Sequence, residues 1–288
     1  MKKIIEKRNY IILGIIVVII ILLASGIFKT KEYMKSFEYF DEIITIKLYS
    51  NKNMSNVFEE IDKIYSKYNE YYENDSNNDD KELIEMLKYG KEWYEKTDGL
   101  IDITTDELIT KVEDDEDFTF KSTMKSLDFN DKSTLNNINI DTFIGSYATK
   151  EVINYLKSEN IDKYLVNEDG NIITGNHYND GKYKISINDS SGKVVEIVNM
   201  NNLSMAVKGN TSAFKSYMVN PLTSQKNSEN KLVAVISSDI NEANMLANAL
   251  YLMDIDKGKE FINNYNAEAL WEIDGKIQMT DGFKKYIN

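Results

Sequence analysis

Two asparagines four residues apart, Asn244 and Asn248 in Asn-Met-Leu-Ala-Asn, lie in an apolar segment that reads as a helix. Residues at that spacing share one helix face, so both amides can reach a single point, as metal-binding groups must. An amide oxygen can ligate a hard cation, but magnesium sites rely on carboxylate charge together with substrate phosphates. The pair is therefore expected to make a poor magnesium site. Other reactive side chains are sparse. His177 is the only histidine, which excludes a multi-histidine metal site, and it lies in the polar turn sequence from Gly175 to Gly181. The chain has no cysteine, so thiolate chemistry, disulfides and a lipid-modified cysteine are all excluded. Thr211 and Ser212 have no evident base nearby. The five acids from Glu113 to Asp117 lack the alternating ligands and internal glycine of an EF-hand loop and read as a solvated loop.

The elements around these residues follow from periodicity. Ile43 to Tyr49 alternates apolar and polar and predicts a strand. Val57, Ile61, Ile64, Tyr65 and Tyr68 predict a helix from about Ser55, and Leu83, Leu87 and Trp93 a second one, capped by Asp80 and ended before Asp98-Gly99. Ser146 to Lys157 reads as a helix. Strands are expected at Tyr164–Asn167, Asn171–Thr174, Tyr183–Ile187 and Val194–Val198, separated by Gly- and Asn-rich turns. A buried strand from Leu232 to Ser238, a helix from Asn241 to Asp254 and another from Asp256 to Asn264 complete the pattern. Strands and helices interspersed without strict alternation predict an α+β fold of mixed sheets with packed helices.

Ile11 to Phe28 carries no charge over about 18 residues, roughly the length of a membrane-spanning helix. Lys2, Lys3, Lys7 and Arg8 precede it, which favours the N-terminus inside and the rest outside. Ala24-Ser25-Gly26 leaves a cleavable signal peptide as the rival reading, although the apolar run exceeds a usual h-region. The expected organisation is a cytoplasmic tail and anchor over 1–28, with a single pass in the cell membrane and the bilayer as partner through 11–28, and an extracytoplasmic domain over 29–288. The net charge of −13 makes nucleic acid an unfavourable partner.

Four segments, in order, resemble the FAD:protein FMN transferase (ApbE) family, whose members split FAD at its pyrophosphate and attach FMN to a threonine or serine of a partner protein. Thr97-Asp-Gly-Leu-Ile-Asp-Ile-Thr104 followed by Leu108 is similar to S-x-G-x-F-D-I-T-x-G-P-L. Ile140-Asp-Thr-Phe-Ile-Gly-Ser-Tyr-Ala-Thr149 stands in the place of L-G-G-I-A-K-G-Y-A-x, and Val166-Asn-Glu-Asp-Gly-Asn-Ile172 with Gly175 looks like N-x-G-G-N-I-x-x-x-G. Ala206-Val-Lys-Gly209 replaces A-T-S-G, Tyr217-Met-Val-Asn-Pro-Leu-Thr223 replaces H-I-x-D-P-x-T-G, and Asn244 with Asn248 occupies D-A-x-x-T.

The resemblance implies FAD and magnesium as cofactors and a flavin-acceptor protein as partner. It places the cofactor-binding positions at Asp141, Thr142, Gly145, Ser146, Asn167, Gly170, Asn171, Tyr217, Asn220 and Thr223, and the metal positions at Asn244 and Asn248. The departures fall where the family's chemistry lies: Gly145 at a lysine, Asp141 and Thr142 at two glycines, Tyr217 at a histidine, Asn220 at an aspartate, and the two amides at the metal ligands. Phosphoryl transfer draws most of its rate from such charged groups. The expectation is a membrane-anchored family member degenerate in its FAD and magnesium motifs, with an active transferase and a non-flavin structural or interaction protein as the alternatives.

Overall fold

The computed structural model describes residues 30–73, 80–114, 116–129, 131, 138–168, 170–209, 218–227 and 231–287. The apolar run 11–28, Thr211, Ser212 and Tyr217 lie outside the described residues. Among the described residues no helix is long and apolar enough to cross a membrane.

An eight-stranded antiparallel sheet organises the molecule. Its strands are β1 (Lys31–Tyr39), β2 (Glu42–Ser50), β3 (Tyr164–Glu168), β4 (Asn171–Thr174), β7 (Leu203–Gly209), β10 (Lys231–Ser237), β11 (Glu268–Ile273) and β12 (Lys276–Met279), adjacent in that order. Between β4 and β7 the chain leaves the sheet as the hairpin β5 (Tyr183–Asn188) and β6 (Val194–Met200), and a small pair, β8 (Val219–Asn220) and β9 (Gln225–Lys226), precedes β10. The long connection from β2 to β3 carries α1 (Ser55–Glu73), α2 (Lys81–Lys96), α3 (Asp106–Glu113) and α4 (Ile144–Ser158). Helices α5 (Ile240–Leu252) and α6 (Ile255–Ile262) join β10 to β11.

The sheet is covered on both faces. Val166, Ala206, Val233 and Val235 face the helical side with the buried residues of α1, α4 and α5, whereas Met205, Val207, Leu232, Ala234 and Ile236 pack against Ile187, Val198 and Met200 of the hairpin and against Phe283. This is why β10 is apolar nearly throughout and buried at every residue: a strand covered on both faces loses the alternation of a half-exposed one. The α+β expectation holds. So do the two N-terminal helices, the second capped by Asp80, whose carboxylate accepts the Glu82 N–H. It ends at Lys96, and Asp98 and Gly99 both adopt left-handed φ, of 50° and 88°. Strand β1, helix α3, strand β7, the short pair β8 and β9 and the last two strands, β11 and β12, were not predicted.

Candidate functional site

A cavity of about 620 Å³ opens at one end of the sheet, and three of the four motif segments meet there. Leu100 to Asp102 forms one wall, and Asp141, Thr142 and Gly145 at the start of α4 another. Lys208 and Gly209 at the end of β7, with Val219 and Pro221, form a third, and Asn248 of α5 closes it. The glycine at the end of β7 has little alternative. Its φ is +100°, and a Cβ there would lie 2.1 Å from the Lys231 carbonyl oxygen.

Asn244 and Asn248 do share a helix face, and both are buried. Asp239 caps that helix, accepting the N–H groups of Asn241 and Glu242 and pairing with Lys150 at 2.6 Å. The Asn244 amide nitrogen donates to the Thr142 carbonyl at 2.7 Å and to Ser146 Oγ at 3.2 Å, and Asn248 donates to the same carbonyl at 3.3 Å. Ser146 in turn donates to the Phe143 carbonyl. The backbone oxygen on which the two side chains converge is thus met by N–H groups. Magnesium needs oxygen ligands with carboxylate charge. Two neutral amides with their nitrogens toward the shared oxygen do not provide them, and no group of three His, Cys, Asp or Glu that could hold a metal occurs among the described residues.

Gly145 is held in place by a residue that sequence reasoning missed. A Cβ at position 145 would lie 2.0 Å from Glu168 Oε1 and 3.6 Å from Glu42 Oε2. Glu168 is fully buried, with Thr149 and Asn171 beside its carboxyl group but no hydrogen bond of good geometry to either oxygen. Burial, and then the neighbouring charge of Glu42, push its acid up to about 8, against the opposing pull of Lys208. The signal was present in the alternation of β3, since Tyr164 and Val166 face the helices and period two puts Glu168 beside them. The space from which a side chain at 145 would start therefore holds a carboxyl group.

The remaining positions divide. Asn171 is buried with its Oδ1 unpartnered, while Asn167 is exposed on the opposite face of β3 and does not line the cavity, and neither does Gly170. Asn220 and Thr223 line a neighbouring cavity of about 340 Å³ that shares Leu100 and Leu252 with the first. His177 braces its own turn, its Nδ1 accepting from the N–H groups of Asn179 and Gly181, and the ring packs on Tyr178 and Tyr183. Within the acidic run, Glu113 lines the large cavity, whereas Glu116 pairs with Lys111.

FAD carries a doubly charged pyrophosphate. Among the described residues the wall presents Asp41, Glu42, Asp102, Glu113 and Asp141 against one lysine, Lys208. That balance does not fit a pyrophosphate.

Comparison with curated proteins finds no matching sequence. Solved structures similar to this one include the flavin transferase ApbE from Vibrio cholerae, with TM-score 0.74, 16% identity and coverage of 90% of this chain and 100% of that one. The ApbE protein from Thermotoga maritima gives TM-score 0.76 and 16% identity over 90% of this chain and 100% of its own. The flavinyl transferase ApbE of Pseudomonas stutzeri gives 0.74 and 17% over 91% and 99%. At these identities the likeness speaks for the fold. The family model of ApbE, however, matches residues 40–271, a span that contains all four motif segments and the whole cavity wall, and so the chain belongs to the ApbE family.

Proposed function

We propose that this chain is an extracytoplasmic, membrane-anchored flavin-transferase-like protein that has lost the magnesium-dependent FMN transfer of its family. The observation that carries the reading is the pair of amides on the Thr142 carbonyl, because hydrogen bonds now do the structural work at a point where the family resemblance puts a metal. The carboxyl group of Glu168 beneath Gly145, and the acidic wall, support it from the cofactor side. Losing one group that stabilises transition-state charge costs roughly 10²–10³ in rate, and here several are replaced together. Incubating the purified full-length chain with FAD, magnesium and a flavin-acceptor domain of the kind the family modifies should leave the acceptor free of covalent flavin fluorescence on a denaturing gel. Robust labelling would overturn the reading in favour of an active transferase, in which Lys208, a cation on the cavity wall, supplies the charge absent at Gly145.

A further inference from the structure

Taking the apolar run 11–28 as the anchor, as in the function proposed above, we propose that the end of the sheet around Lys31, Tyr49 and Tyr178 docks on the headgroup layer of the bilayer and holds the cavity away from it. Strand β1 begins at Lys31, three residues after Phe28, where the apolar run ends. Three residues span at most about 11 Å even when fully extended, and the headgroup layer on each side of a bilayer is about 5–8 Å thick. The first residue of β1 is therefore tied to the membrane surface, and the groups beside it meet lipid headgroups. The opposite end of β1 leads into Phe40, Asp41 and Glu42, which line the cavity. A strand of nine residues is about 30 Å long, so the cavity and the anchor lie at opposite ends of the sheet.

The side chains at the tethered end suit that contact. Tyr49 pairs with Glu32 in the register of β1 and β2, and its N–H donates to the Lys163 carbonyl. The Tyr178 ring stacks on Tyr49 with centroids 4.7 Å apart, and His177 packs against Tyr178 at 4.3 Å. Tyr178 is 41% exposed and is the one exposed aromatic side chain among the described residues. Tyrosine concentrates at membrane interfaces because its ring is apolar and its hydroxyl takes water or headgroup partners. Lysines flank the pair: Lys31 and Lys52 are exposed, and the Lys163 ammonium donates to the Tyr178 carbonyl at 3.4 Å. The acids beside it are paired, Glu32 with Lys47 at 3.4 Å and Asp162 with the Asn176 amide at 2.9 Å, while Asp180 and Lys182, both exposed, offset each other in the following turn. Ammonium groups whose acidic neighbours already have partners suit the phosphates of a lipid surface.

Because the chain has no cysteine, a single fluorescent label can be placed at a chosen position. Full-length Lys52→Cys, Asn179→Cys, Ile43→Cys and Leu222→Cys, all at exposed positions, are labelled and reconstituted in vesicles of phosphatidylcholine and phosphatidylglycerol that carry a nitroxide quencher on a lipid headgroup. Positions 52 and 179 lie at the tethered end, whereas 43 and 222 adjoin the cavity-lining Glu42 and Pro221. Labels at 52 and 179 should lose most of their fluorescence and labels at 43 and 222 little. Adding Tyr178→Ala with Lys52→Gln should restore part of the fluorescence at 179, and a thermal melt confirms that each variant is folded. A chain that does not float with the vesicles overturns the anchor itself, and this placement with it. A chain that floats but is quenched equally at all four positions, or most at 43, overturns the docking and leaves the anchor intact. So does quenching at 179 that the added substitutions do not change, since the tether alone would then place that end.

Discussion

Glu168 is the residue on which the site turns. An acid whose pKa is raised on folding keeps its proton in the native state while the unfolded chain has already lost it. Between 4.5 and about 8 the native protein therefore binds more protons, and stability falls as pH rises through that window, levelling off above it. The slope is at most about 1.4 kcal/mol per pH unit for one group. Glu168→Gln removes the titration, so urea unfolding at pH 5 and pH 8 should show a smaller loss of stability for the variant than for the parent. Equal losses would mean that Glu168 is ionised in the folded protein throughout. The same residue bears on Gly145, since a side chain there meets the buried Glu168 carboxyl group, which must shift to admit it.

At the scale of elements, α4 and α5 are joined by the amide pair. Asn244→Asp puts a carboxylate oxygen where an N–H now meets the Thr142 carbonyl, so two oxygens face each other across a distance that is 2.7 Å in the parent. The loss of that hydrogen bond and the repulsion together should cost about 1–3 kcal/mol, and a cation between the two oxygens would restore it. The double variant Asn244→Asp with Asn248→Thr is thus expected to melt below the parent without magnesium and to gain melting temperature as magnesium is added, while the parent does not respond. A parent that responds to magnesium as strongly as the variant would refute the hydrogen-bonded reading of the pair.

For the whole molecule, the apolar run 11–28 is expected to set location by anchoring the chain in the membrane. Protease added to intact cells, after removal of any wall, should digest the domain from Lys29 onward and leave it membrane-associated beforehand. Recovery of a soluble mature chain beginning near Gly26 would favour a cleaved signal peptide instead. Much of the fold could be read from local pattern because period two and period 3.6 are imposed by burial against a neighbour: α1, α2, β10 and the helix bearing the two asparagines were legible for that reason. Strand β1 was not: its inward face is Tyr33, Lys35, Phe37 and Tyr39, and a lysine on that face together with the exposed Met34 breaks the apolar–polar alternation that would have marked it. Strand β7 was hidden by its polar residues, for Ser204 and Lys208 break its apolar run although both are buried in the fold. The motif segments, and the replacements within them, were likewise visible in the chain. What those replacements amount to depends on groups far apart in sequence. Glu42 and Glu168 close on Gly145 only because β2 and β3 pair beneath α4, and the asparagines meet Thr142 only because α5 packs on that helix. Charge and hydrogen bonding act through distance in space, and folding alone brings five acids from four separate stretches of chain around one cavity.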